Sequence, residues 1–303
     1  MKRVLAVVGP TGVGKSALAL RLARDLNGEI ISADSRQIYR YLDIGTDKPT
    51  SAERSIVPHH LIDIVNPDET FSIAQYQELV YKTIDEVASR GHVPLLVGGS
   101  GLYVWAVLEG WQIPRVAPDM DLRKRLEERA AGGEKEKLYE ELKNLDADAA
   151  DCIDPRNIRR VIRALEIKQN SSLRSEPTKI KPPFDYLIIG LTAARETLYR
   201  RIDKRVDDMI ARGLVEEVRS LVSEGFGLEL PSMSGIGYRQ IGTFLQGKID
   251  LDEAIQLVKN ESHRLVRQQY NWFAPKNDRI HWFDVDTNPY HQIKALATEF
   301  LKA

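Results

Sequence analysis

The chain is poor in cysteine: Cys152 is the only one in 303 residues, which excludes an internal disulfide framework and suits a reducing compartment. Asp148, Asp151 and Asp154 surround it in sequence, and neighbouring carboxylates disfavour the thiolate that a nucleophile needs. Excess charge is also missing. Lys and Arg total 43 against 44 Asp and Glu, a formal net charge of -1, so no global field draws the protein to nucleic acid or an anionic surface. Any nucleic-acid site must be a local basic patch. No apolar run approaches the roughly 20 residues needed to span a bilayer. Apolar sequence begins at Val4, close behind Met1, so neither a signal nor a transit peptide is expected and the cytoplasm is the default. Internal repeats and low-complexity tracts are lacking too.

What is present starts with Gly9-Pro10-Thr11-Gly12-Val13-Gly14-Lys15-Ser16, directly after the apolar run Val4–Val8. The pattern G-x-x-x-x-G-K-[ST] between a strand and helix formers is that of a P-loop. Glycines let backbone N–H groups turn towards a phosphate, and the following helix adds its positive end. Lys15 brings a point charge, and the Ser16 hydroxyl is suited to Mg²⁺. Whether the bound phosphates belong to a nucleotide such as ATP or to another ligand is open from the loop alone.

Strand and helix signals alternate over the first hundred residues. Strands are predicted at Val4–Val8, Glu29–Ala33 and Val93–Val97, and helices at Lys15–Leu26 and Ser72–Arg90. Such alternation argues an α/β fold with a parallel sheet, whose ligands bind at the carboxyl ends of the strands. Three polar or glycine-rich strand ends, 9–16, 34–37 and 98–100, are therefore expected to converge. From Pro118 to about Asn170 only helical patterns occur, and Ser171–Pro183 reads as a loop. Another strand is predicted at Tyr186–Leu191, followed by helices at Ala194–Glu224 and Leu251–Phe273. The domains implied are a P-loop core of residues 1–114 and 184–303, interrupted by a helical insertion at 115–183.

Asp34 ends the second strand, where an acid can act as general base or metal anchor. It is followed by Ser35, Arg36 and Gln37, all able to hydrogen-bond a base or a phosphate. Asp63 lies inside an apolar run, and a structural role is favoured for it. No other strand ends in an acid, which weakens the case for an ATP-hydrolysing motor. After Asp154-Pro155, a good helix start, Arg156, Arg159, Arg160 and Arg163 share a face opposite Ile158, Val161, Ile162 and Leu165. With no acids between them, a phosphate-binding face and a merely solvated one are comparable readings. Gly235–Gln240 is a glycine-rich turn that presents Arg239. The segment 263–273 mixes basic, amide and aromatic groups in a way that suits RNA, although for Trp272 and Phe273 anchoring to the core is preferred.

GPTGVGKS (9–16), ADSRQIYRYLDIGTDKP (33–49), PHHLID (58–63), LLVGGSGLYVWAVLEG (95–110), DPRNIRRVIRALEI (154–167), RVDDMIARGLVEEV (205–218), GIGYRQ (235–240) and NWF (271–273) together resemble the bacterial tRNA dimethylallyltransferases, or tRNA isopentenyltransferases. The resemblance spans nearly the whole chain. It implies a P-loop kinase-like core with an inserted all-helical domain contacting tRNA. The activity implied is transfer of a dimethylallyl group from dimethylallyl diphosphate to N6 of the adenosine 3′ of the anticodon. Gly9, Pro10, Thr11, Gly12, Val13, Gly14, Lys15 and Ser16 would bind the diphosphate, with Ser16 on Mg²⁺. Asp34 would be the base, Ser100 would position the reacting groups and Arg239 would pair with the diphosphate. Contacts to tRNA would come from Asp34, Ser35, Arg36, Gln37, Ser100, Arg123, Ile158, Arg159, Arg160, Val161, Ile162 and Arg163. The partners implied are the tRNA anticodon stem-loop and dimethylallyl diphosphate, with no membrane, for a cytoplasmic monomer. Departures from the family pattern are Ser100 for a threonine, Gln268 where an arginine is usual, and Asn170–Leu173 in place of a Thr-Gly-Lys turn. Rival readings are a P-loop small-molecule kinase and a nucleotide-sensing RNA-binding protein.

Overall fold

A computed structural model describes residues 2–114, 116, 119–170 and 178–303. The chain divides into two compact units, one of residues up to Leu108 and from Pro182 onward, the other of Glu109–Lys181.

The larger unit is built on a six-stranded sheet. Its strands are β1 (Lys2–Val8), β2 (Gly28–Ser32), β3 (His59–His60), β4 (Val93–Gly98), β7 (Phe184–Thr192) and β8 (Ile280–Asp284), in the order β3-β2-β4-β1-β7-β8. Every neighbouring pair is parallel. Helices cover both faces of such a sheet, so its central strands are buried on both sides and read as continuous apolar runs. Val4 to Val8 are all fully buried. Leu5, Val7, Leu22, Leu95 and Ile189 share one core cluster with Leu198, Ile202 and Ile293 from helices. Each such side chain contributes about 1.5–3 kcal/mol relative to exposure.

Register brings the strand ends level. Val8 lies opposite Gly98 and Gly190, and Ser32 lies opposite Val97. The loops after β1, β2 and β4 therefore leave from one edge of the sheet. Gly98 permits this closeness, since a β-carbon there would lie 2.1 Å from the Ala33 carbonyl oxygen.

Helix Ile73–Ser89 begins with a capping box between Ser72 and Gln75. The helical stretch anticipated over 194–224 is two helices, Arg195–Ala211 and Leu214–Ser223, broken at Gly213 with φ 98°. β8 falls where a mostly helical remainder was anticipated. It is a short edge strand with only Ile280 buried, so its sequence carries little strand periodicity.

The smaller unit packs helices Met120–Ala131, Lys135–Leu145, Ala147–Cys152 and Ile158–Asn170 around Leu126, Leu138, Leu142, Val161 and Leu165. It also pairs β5 (Trp111–Gln112) antiparallel with β6 (Thr178–Lys179). Asp154 does not cap the last helix. Its carboxylate accepts from the Arg156 amide in a turn, and the helix starts at Ile158. Arg115, Ala117, Pro118 and residues 171–177 lie outside the described residues, and with them the anticipated start of the insertion and most of the Asn170–Leu173 departure. Among the described residues no helix is long and apolar enough to cross a membrane.

Candidate active site

A cavity of about 890 Å³ lies at the strand-end edge of the larger unit. Thr11, Gly12, Gly14, Lys15 and Ser16 line it, with Asp34–Gln37 and Gly98–Ser100. The three strand ends expected to converge do so. Gly9, Pro10 and Val13 are not on the wall. Gly9 takes φ 142° where a β-carbon would strike the Leu191 carbonyl oxygen, and Val13 is buried in the core.

Helix Lys15–Asp25 opens at Gly14, in the left-handed region at φ 97°, with no side-chain cap and no acid in its first turn. Its first N–H groups are left for a ligand, beside the positive end of the helix. The Lys15 ammonium donates to the Pro10 carbonyl at 2.7 Å. Desolvation, and then the Arg205 charge, lower the Lys15 pKa to about 7, with Asp34 opposing them. An anion placed beside this ammonium would favour its charged form and oppose that shift.

Asp34 and Ser100 are tied through their neighbours. The Asp34 carboxylate accepts from the Arg36 amide at 2.8 Å, and the Ser100 hydroxyl accepts from the Ser35 amide at 3.1 Å. The Ser100 amide donates to the Ala33 carbonyl at 3.3 Å. Acid and hydroxyl are thereby set on adjoining strand ends of one wall.

Other anticipated contacts are occupied within the protein. The Arg36 guanidinium donates to the Pro231 and Ser232 carbonyls and to the Ser234 hydroxyl. The Gln37 amide donates to the Thr46 and Asp47 carbonyls and accepts from Ser32. Both line the cavity, but they brace loops around it. Asp63 pairs with Lys48 at 2.6 Å and with Arg54 at 2.8 Å, the structural role favoured for it.

Arg239 is not on the cavity wall. Tyr238, the first residue of its helix, is buried and donates to Glu217 at 2.6 Å. One step of about 100° round the helix turns Arg239 outward, to 57% exposure and 3.8 Å from Glu261. The cation that does face the P-loop is Arg205, which lines the cavity and donates to the Thr11 hydroxyl at 2.9 Å. Gln269 joins it, accepting from the Thr11 amide at 2.8 Å and donating to the Gly99 carbonyl at 3.0 Å. No role was expected of Arg205, and Gln269 was expected only as part of the RNA-suited segment 263–273. Arg205 opens the block 205–218, and Gln269 follows Gln268, so a signal existed without a spatial reason to select them.

In the helical unit the arginine stripe is only partly available. Glu166, fully buried, accepts from Arg163 at 2.5 Å, from Arg123 at 2.7 Å and from the Asp119 amide at 2.7 Å. Burial opposes its ionisation, but these bonds outweigh burial and lower its pKa. Arg123 and Arg163 are thus pillars of this unit. Val161 and Ile162 are buried in its core, which overturns a side-chain contact with RNA for them, and Ile158 packs against the same core. Arg159 and Arg160 stay on the outer face.

Residues 37–277 match the profile of a family described as IPP transferase. The chain belongs to the IPP transferase family. It is therefore a prenyl-transferring enzyme with a P-loop-like core. It is 52% identical over 272 residues to the tRNA dimethylallyltransferase of Roseiflexus sp. (strain RS-1), covering 89% of each chain. The crystal structure of the full-length tRNA isopentenylpyrophosphate transferase from Bacillus halodurans is 40% identical, with TM-score 0.75, covering 100% of this chain and 97% of that one. A eukaryotic dimethylallyltransferase captured acting on tRNA is 27% identical, with TM-score 0.85, and the match covers 100% of this chain and 80% of that one.

Proposed function

We propose that this enzyme transfers the dimethylallyl group of dimethylallyl diphosphate to N6 of the adenosine 3′-adjacent to the anticodon of tRNA, releasing diphosphate. The observation that carries the reading is that Asp34 and Ser100 line the same cavity as Thr11, Lys15, Ser16 and Arg205.

In this reading the diphosphate lies against the N–H groups at the start of helix Lys15–Asp25, with Lys15 and Arg205 supplying charge. The Ser16 hydroxyl is an exposed hard-oxygen donor on the cavity wall. Mg²⁺ held by Ser16 and diphosphate oxygens would neutralise charge on the leaving group.

The exocyclic amine is a weak nucleophile, because its lone pair is delocalised into the ring. As N6 forms its bond to C1 of the allyl group, the C1–O bond breaks and diphosphate leaves with the electron pair. The N6 proton passes to the Asp34 carboxylate. Ser100, tied to Ser35, orients the amine relative to Asp34. The adenine must leave its stack, at a cost of a few kcal/mol, and Arg159 and Arg160 of the helical unit contribute phosphate contacts. A tRNA substrate and a lone cysteine support a cytoplasmic setting.

The test is incubation with labelled dimethylallyl diphosphate, Mg²⁺ and unmodified tRNA, beside parallel reactions with ATP and metabolites. Label in N6 of the adenosine is the expected result. Absence of label in tRNA sinks the reading. ATP-dependent phosphorylation of a metabolite, or tight tRNA binding without turnover, points to a kinase or to a binding protein respectively.

A further inference from the structure

Trp272 and Phe273 are adjacent but differently placed. Phe273 is buried at 1% exposure, whereas Trp272 keeps 43% of its surface exposed. Core anchoring therefore holds for Phe273 alone. Trp272 ends the helix Leu251–Trp272 and lines the same cavity as Asp34 and Ser100, with Leu102, Leu265 and Gln268.

The indole is held in place. It rests on Gly101, where a β-carbon would lie 2.2 Å from the Trp272 Cγ. The main-chain carbonyl of Trp272 accepts from the Trp105 Nε1 at 2.9 Å, which fixes the backbone that carries the ring, and Trp105 carries the Arg279 guanidinium 4.5 Å from its ring centroid. One turn earlier on the same helix, Gln269 is bound to both the P-loop and Gly99. Leu102, beside Gly101, is also 43% exposed. A large ring fixed by its surroundings yet left half in water has its apolar surface free for a ligand. Preorganised surface of this kind contributes to binding at little entropic cost.

We infer that Trp272 is a stacking platform for a nucleobase of the tRNA anticodon loop next to the extracted adenine. The inference rests on the function proposed above. Extraction of the adenine removes a stacking partner from its neighbours, and an aromatic ring on the wall of the receiving cavity replaces it. Exposure argues against the five-carbon prenyl tail as occupant, since a small apolar tail gains most from an enclosed pocket and a flat base gains from one open face.

The test compares Trp272→Ala and Trp272→Phe with the unaltered enzyme, using an anticodon stem-loop RNA and dimethylallyl diphosphate. Trp272→Ala should weaken stem-loop affinity and raise the RNA KM about 10- to 100-fold, the range of one base–aromatic stack. The KM for dimethylallyl diphosphate should stay within about two-fold, and Trp272→Phe should recover most of the RNA affinity. A stem-loop abasic at one nucleotide flanking the adenosine should bind the unaltered enzyme weakly and cost Trp272→Ala nothing further. Unchanged RNA affinity in a folded Trp272→Ala protein overturns the inference. So does a raised KM for the diphosphate substrate alone, which would give the ring to the prenyl tail. Equal losses in the Ala and Phe variants without abasic coupling also overturn it and make the role structural. If the unaltered enzyme transfers no label to RNA, the proposed function fails instead, so the two failures are distinguishable.

Discussion

The strand-end cavity and the arginine-bearing helix Ile158–Asn170 were both legible as motifs, yet their side chains are used differently. At the cavity, Thr11, Lys15, Ser16, Asp34 and Ser100 all line the same space. On the helix, Arg163 is drawn to buried Glu166, together with Arg123 from Met120–Ala131. A strand end is positioned by the register of the sheet, which the sequence implies through its apolar runs. A helix face carries no such constraint. Its arginines go to whichever carboxylate the packing supplies, here one at i+3 that sits among apolar residues.

The largest expected effect separates chemistry from binding. Asp34→Asn should lower kcat at least about a thousand-fold, within the usual range for loss of a general base, while tRNA affinity changes by less than about three-fold. Single-turnover prenylation beside a filter-binding titration checks both, and near-normal turnover would falsify the assignment of Asp34 as base.

Next comes the buried carboxylate. Glu166→Gln leaves two guanidiniums without a counter-charge. It should cost about 2–3 kcal/mol, below the cost of breaking a wholly buried pair because both arginines remain partly in water. Denaturant unfolding measures it. A change under about 0.5 kcal/mol would return Arg123 and Arg163 to the pool of RNA-facing cations and dissolve the contrast between the two regions.

At the P-loop, Arg205→Ala should raise the KM for dimethylallyl diphosphate about ten-fold or more, as expected from a lost charge-assisted contact. Arg239→Ala should leave that KM unchanged. The reverse ranking, read from initial rates against diphosphate concentration, would restore Arg239 as the partner of the diphosphate.

The pH dependence follows from Lys15. Its pKa in the free enzyme is lowered to about 7, while a bound diphosphate favours the charged ammonium. Raising the pH through 7 discharges the empty site, so kcat/KM for the diphosphate should fall above that pH, and Lys15→Met should flatten the fall. For stability the sign is opposite. Between about 7 and 10.5 the unfolded chain holds a proton that the native state lacks, so this group makes folding more favourable as pH rises across that window. Calorimetric proton uptake on diphosphate binding at pH 8 gives a direct check.

The smallest effect concerns the outer face of the helix. Arg159→Ala with Arg160→Ala should flatten the salt dependence of tRNA binding by about one to two units of slope, whereas Arg163→Ala should change the slope little. An equal change from all three would show that Glu166 does not withdraw Arg163 from RNA.

The departures from expectation have distinct physical causes. Gly213 split a helix because its backbone takes a left-handed conformation, which apolar periodicity does not report. Asp154 formed a turn rather than a cap, and the two uses have the same local sequence signature. Arg205 and Gln269 act on the P-loop from helices that begin at Arg195 and Leu251, far along the chain, a distance over which no pattern of local spacing reaches.

Sequence alone determined the parallel α/β core, the P-loop after its first strand, the acid after the second strand and the family. Each depends on local constraints: apolar runs, glycine at special backbone angles, and residues at fixed offsets from a strand end. Tertiary structure decided which cation meets the P-loop, which arginines are withdrawn by Glu166, and that Trp272 rather than Phe273 is left exposed on the cavity wall. Those outcomes depend on which helix packs against which strand end, and burial and electrostatic pairing exist only once distant segments meet.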